Sequence, residues 1–213
     1  MRIAIVGGTG TLGRQVADEL RARGHEVRVL SRASTGHPVD LTTGRGLRAA
    51  LEGCDTVVDT ADAPTVRQAR RTLVEGSRRL LGAGAEAGVG HHVCVSVVGC
   101  DRVPAAYYRV KTEQERVVAN GPVPWTVVRA TQFHEYVAGM LDSAGRWRVL
   151  PVPRARIQPV AVTEVARAVT GRYALPLPLP GGLGRALRAG GATTARPDVR
   201  GSVPFAVWLG ERR

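Results

Sequence analysis

The sequence predicts a doubly wound α/β domain built on a parallel sheet, and three observations carry that expectation. Short apolar, β-branched runs alternate with amphipathic helical stretches along the first 130 residues. The runs are unbroken rather than alternating, as in strands buried on both faces. The first strand-to-helix junction is a glycine-rich loop, GGTGTLG. Strand–helix repeats of this length require crossover connections and hence parallel pairing.

RIAIV (2–6) is the first strand. It runs through the glycine loop into RQVADELRARG, where Val16, Leu20 and the alanines form one stripe and Gly24 ends the helix. EVRVLSR (26–32) is the second strand, with a short third near HPVDL and a helical piece at 45–52. TVVDTA (56–61) is the fourth strand, followed by a long helix at 64–87. HHVCVSVVG (91–99) is the fifth, a helix covers about 106–120, and WTVVRA (125–130) is the sixth. Beyond residue 130 the pattern loosens. A helix at about 131–143, strand-like RWRVL and RIQPVAV, and a helix capped by Thr163 and running to about 172 are expected. The stretch 174–201 is rich in Pro, Gly and Ala, and SVPFAVWLGERR closes the chain as an amphipathic helix with Phe205, Trp208 and Leu209 on one face. The expected division is a dinucleotide-binding domain over 1–145 and a small substrate lobe over 146–213.

Composition narrows the class. The chain has 213 residues, 44% of them hydrophobic, enough for a core in one domain. The net charge is +12, but the arginines are spread along the whole length and are not interleaved with aromatics, which argues against nucleic acid as a partner. Cys54, Cys94 and Cys100 match neither a disulfide framework nor a zinc site and are expected as reduced thiols. The start, MRIAIVGG, is too short to be a signal peptide, and no run approaches a membrane span, so a cytoplasmic protein is expected. His91 and His92 have no partner at metal-ligand spacing, so no metal is expected. Trp147, Phe205 and Trp208 are expected in the core.

The glycine loop carries the chemistry. Gly7, Gly10 and Gly13 are spaced GxxGxxG, with Thr9, Thr11 and Leu12 between them. Such glycines allow the turn, the approach of a pyrophosphate to the backbone, and close packing of helix on strand. The helix N-terminus then stabilises the phosphates. A carboxylate ending the second strand would select NAD. Ser31 and Arg32 stand there instead, a hydroxyl and a cation suited to a 2′-phosphate, so NADP(H) is favoured over NAD(H). Asp40 and Leu41, and Thr60 and Ala61, follow the third and fourth strands and are placed to line adenine and ribose.

YYRVK (107–111) contains the only lysine in a chain with 29 arginines. Tyr107 and Lys111 share a helical face at i and i+4, and Ser96 lies upstream where the fifth strand leaves the sheet. An ammonium beside a phenol lowers its pKa from about 10 toward neutrality, and a guanidinium is a poorer substitute. Tyr107, Lys111 and Ser96 are therefore the candidate catalytic set.

Together GGTGTLG, LSR, SVVG, YYRVK, PWTVVRATQF and QPVAVTEVA resemble the atypical short-chain dehydrogenase/reductase superfamily, in its NmrA-like NAD(P)-binding branch, over roughly residues 1–172. The resemblance implies a Rossmann-like fold. It also implies Tyr107 as acid/base, Lys111 as the nicotinamide-ribose ligand, Ser96 as the group polarising a carbonyl, and Gln132 and Phe133 near nicotinamide or substrate. Relatives carry more residues after the position of Tyr173, so an abbreviated C-terminal substrate lobe is expected. The implied activity is an NADP(H)-dependent oxidoreductase acting on a carbonyl or quinone-type small molecule, with a homo-oligomer allowed. The alternatives are a non-redox cyclase, isomerase or dehydratase using Tyr107, and a dinucleotide-sensing regulator, since the branch includes members without the tyrosine.

Overall fold

A computed structural model describes residues 1–135, 138 and 160–170. Its sheet has six parallel strands: β1 (Arg2–Val6), β2 (Glu26–Ser31), β3 (His37–Pro38), β4 (Thr56–Asp59), β5 (His91–Val97) and β6 (Trp125–Ala130). They lie in the order β3-β2-β1-β4-β5-β6. The chain winds outward from β1 in one direction and then from β4 in the other. The switch between β1 and β4 is where folds of this kind open a crevice at the carboxyl edge. All six expected strands are present.

Alternation along the strands fills two cores. Ile3, Ile5, Val58, Val93 and Val95 face α1 (Thr11–Ala22) and α6 (Val162–Val169). Ala4, Val6, Val57 and Cys94 face α2 (Leu47–Leu51) and α4 (Gly76–Glu86), with Val118 of α5 (Ala106–Ala119) closing the layer. Burial on both faces explains the unbroken apolar runs. α1 follows its stripe, with Leu12, Val16, Ala17 and Leu20 buried.

The expected long helix at 64–87 is interrupted. α3 (Val66–Ala69) passes through a π-helical segment, Arg70–Glu75, before α4. Thr65 caps it, its hydroxyl accepting the Gln68 N–H at 3.3 Å. The wide turn ends at Gly76, where an added Cβ would lie 2.9 Å from the Leu41 Cβ, so the helix reaches the next element only without a side chain there.

The expected cap at Thr163 is corrected. α6 begins at Val162 with Ala161 as its N-cap, and the Glu164 carboxylate accepts the Ala161 N–H at 3.4 Å. A carboxylate three residues on serves the helix start, so Thr163 lies within the first turn. α6 packs beside α1 on the sheet, in the core that holds Ile3 and Ile5. The expected helix near 131–143 and the RIQPVAV strand lie mostly outside the described residues. RWRVL, the 174–201 stretch, the closing helix, Trp147, Phe205 and Trp208 lie wholly outside them.

Candidate functional site

β1 ends at Val6 and the chain turns at once. Gly7 adopts φ +72°, a conformation that strains any residue with a Cβ, and an added Cβ would lie 2.9 Å from the backbone of Thr60 and Ala61. Gly13, in the first turn of α1, sits so close beneath this loop that an added Cβ would collide with the Gly7 carbonyl oxygen and lie 2.6 Å from the Gly8 Cα. Gly10 is the N-cap of α1, with no side-chain cap and no acidic residue in the first turn. The amides of Thr11, Leu12 and Gly13 therefore open α1 with no side-chain acceptor. Thr9 and Thr11 are exposed, whereas the Leu12 side chain is core. These features fit a pyrophosphate, which needs backbone at close range, amide donors and no competing carboxylate.

At the end of β2, Ser31 Oγ accepts the Ala33 N–H at 3.1 Å. Arg32 follows it, exposed, with no hydrogen bond or ion pair to another described residue. Asp40 accepts the N–H and hydroxyl of Thr42 at 2.9 and 2.7 Å, and these bonds hold its carboxyl below the usual range. The Leu41 side chain is core. Thr60 donates its hydroxyl to the Val6 carbonyl at 2.7 Å, tying the end of β4 to the end of β1 beside Gly7. The tertiary fold thus gathers the loop, Ser31, Arg32, Thr60 and Ala61 along one carboxyl edge.

The proposed acid/base residues are held by separate partners. The Tyr107 hydroxyl donates to Asp62 Oδ1 at 2.8 Å. Lys111 is buried, and its ammonium donates to the Val95 carbonyl at 2.8 Å and to Gln114 Oε1 at 2.6 Å. Ser96 is 2% exposed, its hydroxyl 3.9 Å from Cys100 Sγ, and the Cys100 thiol donates to Glu115 Oε1 at 3.3 Å. Glu115 is clamped by Arg129, Nε to Oε1 at 2.9 Å and NH2 to Oε2 at 2.6 Å, and Arg129 also reaches Asp101 at 3.3 Å. Burial opposes the Glu115 charge, yet the hydrogen bonds from Arg129 hold its carboxyl below the usual range. Gln132 donates to the Tyr108 hydroxyl at 3.0 Å, and Phe133 packs against the core shared with α1 and α6.

Three residues that no spacing along the chain links also converge here. Asp59, His92 and Cys94 offer atoms within 4.8 Å of one another, all buried. Both Asp59 oxygens are already used, Oδ1 by Ala61 N–H at 3.0 Å and Oδ2 by Gln114 and Ser77. Burial pushes the Cys94 thiol up to about 12 and lowers His92. A carboxylate whose two oxygens are both taken by hydrogen bonds makes a poor metal ligand. Register is what brings Asp59 opposite Cys94, and no spacing along the chain signals it. Beside this region a cleft of about 410 Å³ lies between α3 and α5, where Arg70 pairs with Glu113. Among the described residues no helix is long and apolar enough to cross a membrane.

A family model described as NAD(P)H-binding matches residues 7–170. The (4-alkanoyl-5-oxo-2,5-dihydrofuran-3-yl)methyl phosphate reductase of Streptomyces griseus is 34% identical over 187 residues, 79% of this chain and 63% of that protein. Photosystem II assembly factor Ycf39 of Synechocystis is 29% identical over 191 residues, 79% of this chain and 58% of that protein. The chain thus spans about three fifths of the length of these curated relatives. Among solved structures, a short-chain dehydrogenase/reductase superfamily protein from Agrobacterium tumefaciens with bound NAD superposes with TM-score 0.65 at 19% identity, over 84% of this chain and 74% of that one. The NADPH-dependent quinone oxidoreductase of Escherichia coli with NADPH gives 0.64 at 20% identity, over 78% and 62%. With the six-stranded order and the glycine loop, the family match gives the assignment: the chain belongs to the family described as NAD(P)H-binding, over residues 7–170.

Proposed function

We propose that the protein is an NADP(H)-dependent reductase of a carbonyl or quinone-type small molecule. The observation that carries the reading is the cradle at the start of α1, where Gly13 lies against the Gly7 carbonyl beneath an uncapped helix N-terminus. The amides there would hold the pyrophosphate. Arg32, exposed at the end of β2 and near enough to Asp40 to favour its charged form, would hold the 2′-phosphate. Asp40 and Leu41 would border the adenine, and Thr60 and Ala61 the ribose. When bound, NADPH supplies the hydride. Tyr107 gives its hydroxyl proton to the substrate oxygen, exchanging its bond to Asp62 for one to substrate. Lys111 spends two of its three N–H groups on Val95 and Gln114, leaving one for the nicotinamide ribose. Ser96 would orient the oxygen, and to do so its hydroxyl must turn away from Cys100. Gln132 and Phe133 would border the substrate. The Streptomyces griseus relative is named for reducing an oxo-bearing dihydrofuran phosphate, which supports the carbonyl class.

A second reading, dinucleotide binding without turnover, is favoured by the burial of Ser96 and by the similarity to an assembly factor. One experiment separates them. The protein is titrated calorimetrically with NADPH, NADP, NADH and NAD, and then assayed against a panel of ketones, enones and quinones by loss of nicotinamide absorbance. Binding with turnover that vanishes in Tyr107→Phe supports the reductase. Binding with no turnover across the panel supports the second reading, and no binding removes both.

A further inference from the structure

A buried ammonium needs acceptors and an opposing charge, because isolated burial of an ion is prohibitively costly. Lys111, 3% exposed, meets this need through a chain of side chains drawn from three elements. Its Nζ donates to Gln114 Oε1 at 2.6 Å, three residues on along α5. That bond fixes which way the Gln114 amide faces, and its NH2 is turned to Asp59 Oδ2 and Ser77 Oγ, both at 3.2 Å. Ser77, from α4, donates to the same Oδ2 at 3.4 Å. Gln114 and Asp59 are each 1% exposed. Carboxylate and ammonium are therefore joined through one amide, with no water-exposed member.

The residue type at 114 matters. Glutamine accepts at one end and donates at the other, as a link between cation and anion requires. Glutamate would set a second carboxylate against Asp59, and methionine could bond neither. Glu115, the next residue along α5, is already committed to Arg129. The second oxygen of Asp59 takes the Ala61 N–H at 3.0 Å, and Ala61 is the residue against which Gly7 is packed. One carboxylate thus connects the loop beneath the glycine turn to the lysine at β5.

From this geometry we infer that Asp59 and Gln114 are the positioning residues of Lys111. Asp59 supplies the counter-charge, Gln114 transmits it, and together they hold the ammonium against Val95 with one N–H directed to the dinucleotide. That last step rests on the cofactor reading above; the placement of the ammonium does not.

Lys111 is the only lysine of the chain, so lysine labelled at Cε and Nζ gives a single side-chain signal. The measurement is the Nζ chemical shift and the water-exchange rate of the ammonium protons, by NMR at pH 6, in wild type, Gln114→Met, Asp59→Asn and Ser77→Ala. Gln114→Met is expected to speed exchange about tenfold, the loss of one charge-assisted hydrogen bond, and to move the Nζ shift. Asp59→Asn is expected to move it in the same direction with Gln114 still in place. Ser77→Ala, which removes one bond to Gln114 and one to Asp59 but keeps the direct Lys111–Gln114–Asp59 path, should leave the signal within about twofold of wild type. An unchanged signal in Gln114→Met, or an equal change in Ser77→Ala, overturns the assignment. Should Asp59→Asn fail to fold, the Gln114→Met and Ser77→Ala pair still decides it. Adding NADPH to the wild type then tests the last step separately. A shifted Nζ signal supports contact with the dinucleotide. No shift despite calorimetric binding removes that contact and leaves the positioning by Asp59 and Gln114 standing.

Discussion

Gly13→Ala and Gly82→Ala make the same chemical change in two helices and should act with opposite sign. At Gly13 the new methyl meets the Gly7 carbonyl oxygen, the Gly8 Cα at 2.6 Å and the Gly7 carbonyl carbon at 2.9 Å, all backbone atoms that no rotamer change can move aside. Overpacking costs about 1–3 kcal/mol, and backbone opponents put this site at the upper end. Alanine recovers about 1 kcal/mol of helix propensity, for a net loss of about 2 kcal/mol. In a chain of this length that lowers Tm by about 4–8 °C. At Gly82, within α4, nothing lies within 4 Å of the added Cβ, so the propensity gain stands alone and Tm rises by about 2–4 °C. Thermal melts followed by circular dichroism read both. NADPH titration of the Gly13→Ala protein, below its midpoint, should show at least a tenfold loss of affinity, roughly the effect of displacing the loop backbone from hydrogen-bond range. A Gly13→Ala protein that melts at or above wild type would refute the argument that the loop and helix are in contact by design of the glycine, and with it the fit to a pyrophosphate.

Arg32→Ala is expected to weaken NADPH about 10- to 100-fold while changing NADH less than about threefold, since only the former loses a charge-assisted phosphate contact; equal losses by calorimetry would remove Arg32 from the 2′-phosphate. Acid should destabilise the fold in two windows. Burial lowers the pKa of His92 from 6.5, so the unfolded chain takes a proton that the fold refuses, and stability falls as pH drops below about 6.5. Glu115, held below 4.5 by Arg129 despite its burial, adds a loss as pH falls below about 4.5. Each group contributes a slope of at most about 1.4 kcal/mol per pH unit, and denaturant melts of His92→Phe should show a shallower upper window, the remainder coming from His91, which burial lowers as well. The thiols of Cys54, Cys94 and Cys100 are all buried and raised by burial, Cys94 to about 12. The native protein at pH 8 should therefore release no thionitrobenzoate from Ellman's reagent, against three equivalents when unfolded; prompt reaction of one thiol would contradict the packing around it.

Strand existence, strand order of appearance and the tight glycine turn at the start of α1 were legible in the sequence because each depends on local patterns. β-branched runs record burial on two faces, and glycine spacing records where backbone must approach backbone. WTVVRA emerged as β6 with the expected limits, Trp125–Ala130. Tyr107 and Lys111 share a helical face, as i and i+4 positions must. The burial of Lys111 was not legible. Its neighbours Val110, Gln114 and Val118 are buried on the same helix, and whether that face meets the sheet or the crevice depends on how α5 packs on β5.

The amino-acid order by itself therefore determined the fold class and the glycine turn that joins β1 to α1. Only the tertiary structure decided the partners. Asp62 and Tyr107 are 45 residues apart, Asp59 and Gln114 55, and Ser77 and Gln114 37. Such pairs are set by the parallel register of β4 on β5 and by the helices laid across them. Backbone preference acts over a few residues, whereas a buried charge selects its counter-charge from whatever the packed sheet brings within hydrogen-bond reach.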